Sequence, residues 1–212
     1  MCIHEDCIKY FPSDTNELIL LPKANTDWGD WKSPQFCDPG AIGTQFAFQW
    51  ERPQGHGGGG NDDSGGVGFF IGCEVIEYNQ DGDANARQLE WIGARGEKFN
   101  DKKHIAACET GSYLYAIQIN SEHPGGDDMA LCNVRLWCKN PITGTEKRHE
   151  PQAPTIANGW TDRKKCPMFH GIAGVQLKIE EYQGRGDDTM LNKIKLFCKP
   201  IYFANVFIDN ST

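Results

Sequence analysis

From Gly174 to Glu180 the chain reads GVQLKIE, and its apolar and polar positions alternate strictly. Val175, Leu177 and Ile179 point one way; Gln176, Lys178 and Glu180 point the other. A period of two marks a half-buried β-strand. The alternation returns in IKLFC, with Ile194, Leu196 and Cys198 on one face. Between these two strands lies a loop, GRGDDT, whose glycines permit turn conformations.

The same design occurs three times. GDDMALCNVRLWC, ending at Cys138, aligns without a gap on GDDTMLNKIKLFC, ending at Cys198, at an offset of 60 residues. Val134, Leu136 and Cys138 match Phe69, Ile71 and Cys73 of an earlier, more divergent copy. Upstream, Ile117 and Ile119 are aligned with Leu177 and Ile179 at the same offset, and FAFQW supplies Phe46, Phe48 and Trp50. Each copy reads Trp, short gap, Cys, strand, glycine-acidic loop, strand, Cys. Internal repetition of this kind sets the architecture. The copies span about residues 25–75, 88–140 and 157–200. Residues 1–21 are expected to form an N-terminal arm, and 22–212 a single domain closed by a C-terminal strand, IYFANVFIDNST. GEKFNDKKHIAAC is the least strand-like stretch, and no long amphipathic helix is evident. One half-buried sheet per repeat cannot hide its apolar face alone. Three can hide theirs against one another, which predicts an all-β, three-sided prism with pseudo-threefold symmetry.

Composition narrows the picture. The net charge of −8 and the scattered basic residues argue against nucleic acid as a partner. No apolar run reaches the length of a membrane span. Nine cysteines are many, and six recur in pairs, predicting disulfides Cys37–Cys73, Cys108–Cys138 and Cys166–Cys198 and an oxidising compartment. No C-x-x-C spacing favours a metal. MCIHEDCIKY lacks the apolar core of a signal peptide, so the chain reads as a mature, secreted form. Cys2, Cys7 and Cys132 are left over; a staple from the arm to Cys132, or a Cys2–Cys7 loop, leaves one thiol for a disulfide-linked dimer.

DWGDW followed by Cys37, with alternating strands and then GDDTMLNKIKLFC, resembles the vitelline membrane outer layer protein family. The second copy departs at Met129 and Cys132, and the first keeps the Asp pair, the strand register and the Cys. The resemblance covers about residues 25–200. It implies a β-prism of the first kind, with three four-stranded Greek-key sheets, an architecture shared with jacalin-type lectins. It also implies a secreted protein of egg coats, mucosal fluids and other extracellular layers, with a carbohydrate-directed role that includes transfer on N-acetylglucosamine oligomers.

Candidate chemistry lies in the acidic loops and the tryptophans. Symmetry would gather Asp62, Asp63, Asp127, Asp128, Asp187 and Asp188 at one end of the prism. Six carboxylates there have the chemistry to bind Ca²⁺, hydrogen-bond sugar hydroxyls or act as general acid and base. Their recurrence in all three copies favours a role in the turns. Trp28, Trp31, Trp91 and Trp160 precede the first Cys of their repeats, which favours a place in the core, with Gly29-Asp30-Trp31 the context best suited to an exposed ring. The tripeptide Arg185-Gly186-Asp187 arises from the repeat, the Gly55–Gly60 run reads as a hairpin, and Asn210 opens a glycosylation sequon. The six histidines follow no catalytic spacing, and a cofactor is not expected apart from Ca²⁺. The function that follows is a secreted structural or carbohydrate-binding protein with glycans or matrix components as partners. The alternatives are a glycan-acting enzyme, which the threefold repetition of the acidic pairs disfavours, and a toxin-like or defence lectin.

Overall fold

The alternating segments fold as strands because every second side chain can be buried in a shared core. The structure is a computed structural model that describes residues 18–23, 27–51, 65–79, 83–96, 102–121, 131–155, 159–181 and 190–201. Among these, thirteen strands form three antiparallel sheets. The first sheet has the order β6 (Ala84–Arg95), β5 (Gly66–Tyr78), β4 (Ile42–Trp50), β7 (Lys102–Ala107). The second has β10 (Glu146–His149), β9 (Leu131–Lys139), β8 (Tyr113–Ser121), β11 (Lys164–Lys165). The third has β1 (Leu18–Leu20), β13 (Leu191–Pro200) and β12 (His170–Ile179), with β2 (Asp30–Trp31) and β3 (Gln35–Phe36) sharing the far edge as two halves of one interrupted strand.

The inner faces meet in one core. Phe46, Phe48, Ile117, Ile119, Val175 and Leu177 from the three central strands are essentially buried, as are Ile71, Leu136 and Leu196 from their partners. The central strands approach closely at Gly43. A Cβ there would lie 2.8 Å from the Ile172 carbonyl oxygen and 3.6 Å from Leu114. Gly43, Leu114 and Ile172 each precede a β-bulge and each pair with the second Cys of their repeat, so these three equivalent positions mark the axis.

The bulges revise the alignment of the repeats. The unpaired residue is Thr44 in β4, Tyr115 in β8 and Ala173 in β12. Ile117 and Ile119 therefore match Val175 and Leu177, not Leu177 and Ile179. The first strand repeats at an offset of 58 and the second at 60, because the loop between them is two residues longer in the last copy. The carbonyl of each bulged residue accepts the N–H of a Cys on the adjoining edge: Cys108 to Thr44 at 2.8 Å, Cys166 to Tyr115 at 2.8 Å, Cys37 to Ala173 at 2.9 Å.

One sheet per repeat is corrected by the same contacts. The strand before each first Cys belongs to the preceding sheet: β7 pairs with β4, β11 with β8, and β2 and β3 with β12. The disulfides Cys37–Cys73, Cys108–Cys138 and Cys166–Cys198 consequently run between sheets, with Cα–Cα separations of 5.7, 5.5 and 5.7 Å. Other boundaries move too. Leu18–Leu20 pairs with Leu196–Cys198, so the domain begins before residue 22. Residue 88 falls inside β6, which completes the first sheet. Lys102–Ala107, inside the stretch judged least strand-like, is the edge strand β7; its two lysines are exposed, as an edge allows, and His104 is half-buried against Phe46. The C-terminal strand expected from the tail, the acidic pairs, Cys2 and Cys7, the glycine run, the Arg-Gly-Asp tripeptide and Asn210 lie outside the described residues. Cys132 is buried in β9.

Two outcomes follow. Each bridge closes a loop of 30 to 36 residues, so replacing Cys37 and Cys73 by Ala should cost about 3 to 4 kcal/mol in the chain-entropy picture, read as a lower midpoint in denaturant. Unchanged stability would show that the bridge does not constrain the unfolded chain. Gly29 makes the second case. It lies at φ +74°, and a Cβ there would come within 2.4 Å of the Ile179 carbonyl and the Glu180 nitrogen. Gly29→Ala should therefore cost more than the about 1–2 kcal/mol of left-handed strain alone and change the environment of Trp31. Melting by circular dichroism and tryptophan fluorescence would show both, and a variant as stable as the parent would refute the close approach.

Candidate functional site

The two ends of the prism differ. The disulfides and bulges lie near the start of β4, β8 and β12. At the other end these strands lead out at Glu51, Ser121 and Glu181, and the chain returns at Gly65, Leu131 and Met190. Gly66 abuts the Leu131 carbonyl, and Gly96 abuts the Met190 sulfur, so the three crossings share that end.

At the crossing end of the third sheet, the segment before β3 is laid against β12. Asp30 pairs with Ile179 and Trp31 with Lys178, and the Lys32 N–H donates to the Leu177 carbonyl at 2.8 Å. Gly29 lets the incoming chain touch the β12 backbone. That contact throws Trp28 outward, and its side chain is 58% exposed. Asp27 curls over the sheet. Lys178 Nζ donates to its carbonyl at 2.7 Å and to its carboxylate Oδ1 at 2.6 Å, and Lys193 Nζ reaches the same oxygen at 2.8 Å. Hydrogen bonds from Lys178 and then Lys193, with their charge, hold the Asp27 carboxyl down to about 2. The carboxylate itself is open to solvent, while Lys178 and Lys193 are mostly covered. Lys32 pairs with Glu181.

Trp31 belongs to a motif that recurs on the outer faces. Lys195 Nζ sits 4.3 Å from the Trp31 ring centroid and donates to Gln176 at 2.9 Å. The equivalent trio in the second sheet is Trp160, Arg135 and Gln118, with the guanidinium 3.6 Å from the indole. Both tryptophans stand six residues before a bridging Cys. In the first sheet the ring and the cation exchange places, Lys103 lying 5.9 Å from Phe70. Cation–π contacts at such sites are worth about 0.5–2 kcal/mol each, so Trp31 and Trp160 have a structural duty. Neither lies in the core: Trp31 is exposed and Trp160 half-buried. Trp91 is also exposed, sits on β6 opposite Gly72, and shares the Lys103 ammonium with Phe70 at the same 5.9 Å. The core takes Phe46, Phe48, Trp50 and Phe69 instead of these tryptophans.

Trp28 has no such duty and no tryptophan counterpart, since Phe99 and Ala157 stand nine residues before Cys108 and Cys166 in the other copies. The tryptophans of the third sheet edge were legible as candidates; Asp27, Lys178, Lys193 and Lys195 were not. The signal for the last two was the alternation of Lys193, Lys195 and Lys199 on the polar face of β13. The acidic pairs, and with them the Ca²⁺ expectation, fall outside the described residues, among which no group of three or more His, Cys, Asp or Glu is placed to hold a metal. A cavity of about 250 Å³ lies by the Cys108–Cys138 bridge, lined by Glu109, Ser112, Thr145, Glu146 and Lys147. It is smaller than the roughly 300–1,000 Å³ usual for enclosed ligand sites, and Lys147 holds Glu109 below its ordinary value.

The profile of the vitelline membrane outer layer protein I family matches residues 25–201. The human vitelline membrane outer layer protein 1 homolog is 32% identical over 177 residues, covering 81% of this chain and 77% of its own length. The mouse homolog is 29% identical, covering 81% and 78%. Among solved structures, Calystegia sepium agglutinin superposes with a TM-score of 0.53 at 12% identity, covering 87% of this chain and 97% of its own. Jacalin gives 0.51 at 9%, covering 88% and 96%, and a mannose-binding jacalin-related lectin from Ananas comosus 0.50 at 10%, covering 87% and 98%. These likenesses identify the fold as the β-prism of the jacalin lectins, while the profile and the human relative identify the lineage: the chain belongs to the vitelline membrane outer layer protein I family.

Proposed function

We propose that this protein is a secreted carbohydrate-binding component of an extracellular coat or secretion, and that it takes sugar at Trp28 on the crossing end of the third sheet. The observation that carries the reading is the exposure of Trp28, an indole held out by a glycine turn, free of the cation–π duty of Trp31, beside an open carboxylate. A sugar ring needs an aromatic face to stack on and charged or polar groups to take its hydroxyls. Asp27, with its ammonium partners, supplies those groups next to the ring. Three disulfides suit an oxidising compartment. The family's name for an egg-coat layer, and the mannose binding named for one structural neighbour, agree with that setting.

The chemistry of Asp27 favours binding over catalysis. A general acid needs a carboxyl that titrates near the working pH. Asp27 is held at about 2, so it accepts hydrogen bonds and does not deliver a proton.

Trp28→Ala should weaken binding on a glycan array by roughly tenfold, as truncating an aromatic anchor does. Because Trp28 packs little, the melting temperature should not change. Binding that survives the substitution intact would remove Trp28 from the site.

A further inference from the structure

We propose that the outer face of the third sheet recognises an anionic polysaccharide, one bearing sulfate or carboxylate groups, with Lys195 and Lys199 meeting the charges and Trp28 meeting a sugar ring. The inference rests on the carbohydrate reading above and names the chemistry of its ligand.

The argument comes from a difference between equivalent positions. In the second sheet four basic groups of the outer face lie within 4.0 Å of a carboxylate, two to each acid. Arg135 Nε lies 2.7 Å from Glu150, Arg148 lies 3.7 Å from the same side chain, and Lys139 and Arg163 lie 4.0 and 3.6 Å from Glu146. Lys195 occupies in the third sheet the place of Arg135, over its own tryptophan. Continued one residue past the strand end, the register of β10 on β9 brings Glu150 to Arg135, which it meets at 2.7 Å, and that of β1 on β13 brings Leu21 to Lys195. Leu21 is 43% exposed, an apolar side chain where the second sheet carries Glu150. Lys195 has a neutral amide, Gln176, and an indole as partners. Lys199 lies 4.6 Å over the Phe36 ring. Lys178 and Lys193 share one carboxylate.

The outer face of this sheet is thus left with an excess of positive charge on a chain whose net charge is −8. Lys193, Lys195 and Lys199 follow one face of β13, and at the rise of an extended strand they span about 20 Å. A flexible chain of sugars with regularly spaced acidic groups can lie along such a row. A compact neutral sugar uses only the Trp28 end. Lys195 gives one of its three N–H donors to Gln176, and the donors that remain on Lys195 and Lys199 can meet sulfate or carboxylate oxygens.

The test compares four probes by calorimetry at low and physiological salt: chondroitin sulfate, the same chain desulfated and carboxyl-reduced, an N-acetylglucosamine oligomer, and single-stranded DNA. Tightest binding is expected for chondroitin sulfate, weakening as salt screens the charges. Leu21→Glu restores the acid of the second sheet and should lower that affinity by roughly fivefold, with Lys195→Gln acting alike. Leu21→Glu should keep the parent melting temperature, Lys195→Gln should lower it slightly because it gives up the contact with Trp31, and both should keep their binding to the neutral oligomer, whereas Trp28→Ala should weaken both glycans. Equal affinity for the charged and neutral chains, or no response to Leu21→Glu in a folded variant, would overturn this inference and leave the carbohydrate reading standing. Binding to none of the glycans would overturn that reading too. DNA bound as tightly as chondroitin sulfate, and indifferent to Trp28→Ala, would show a charge-only surface and overturn the polysaccharide assignment.

Discussion

The architecture depends on an exchange of strands around the axis. Each sheet is finished by a strand that belongs to the next repeat, and the third is finished by β2 and β3 ahead of the first. At every exchange the bulge in the central strand turns one carbonyl toward the arriving Cys, whose N–H bonds to it. The same Cys then bridges to the neighbouring sheet. A bulge bends and twists a strand, which re-aims the groups around it. Here that bend sets the corner of the prism and brings two sulfur atoms within bonding reach. Three corners treated alike close a ring, so no repeat has a complete sheet by itself.

Closure has consequences for both ends. At the disulfide end the chain is cross-linked and the axis is tight, with Gly43 admitting the Ile172 carbonyl. The crossing end has no covalent link between the described strands, and β2 reaches it by lying along β12. Sequence differences between repeats can therefore accumulate on outer faces and at the crossings without disturbing the core. The three outer faces have diverged in this way. The second sets its cations beside two acids, the third has Lys195 and Lys199 over rings with no carboxylate beside them, and the first reverses ring and cation.

This separates two kinds of tryptophan. Trp31 and Trp160 fill a symmetric place and cover the sheet through a cation–π contact. Trp28 breaks the symmetry and contributes little to packing. A residue that the repeat does not require, held outward by a backbone contact that tolerates only glycine, is a better mark of a binding role than the acidic pairs that every copy shares. The same logic applies to Leu21, where an acid is missing from a site that has one elsewhere.

The sequence by itself determined the alternating strands of the repeats, the threefold repetition, the disulfide partners and the all-β prism. All of these rest on local alternation or on spacings written along one dimension. Phe46, Phe48, Leu177 and Leu196 could be assigned to the core because period two leaves an apolar strand face nowhere else to go. The tertiary structure decided which sheet each leading strand joins, since a short polar stretch such as Lys102–Ala107 carries no record of its partner. It also decided that the bridges run between sheets, that the first strands repeat at 58 and not 60, and that Asp27 meets Lys178 and Lys193 across more than 150 residues of chain. Such contacts arise from the closing of the prism, and the polar residues that make them are exposed enough that no periodicity in the sequence has to register them.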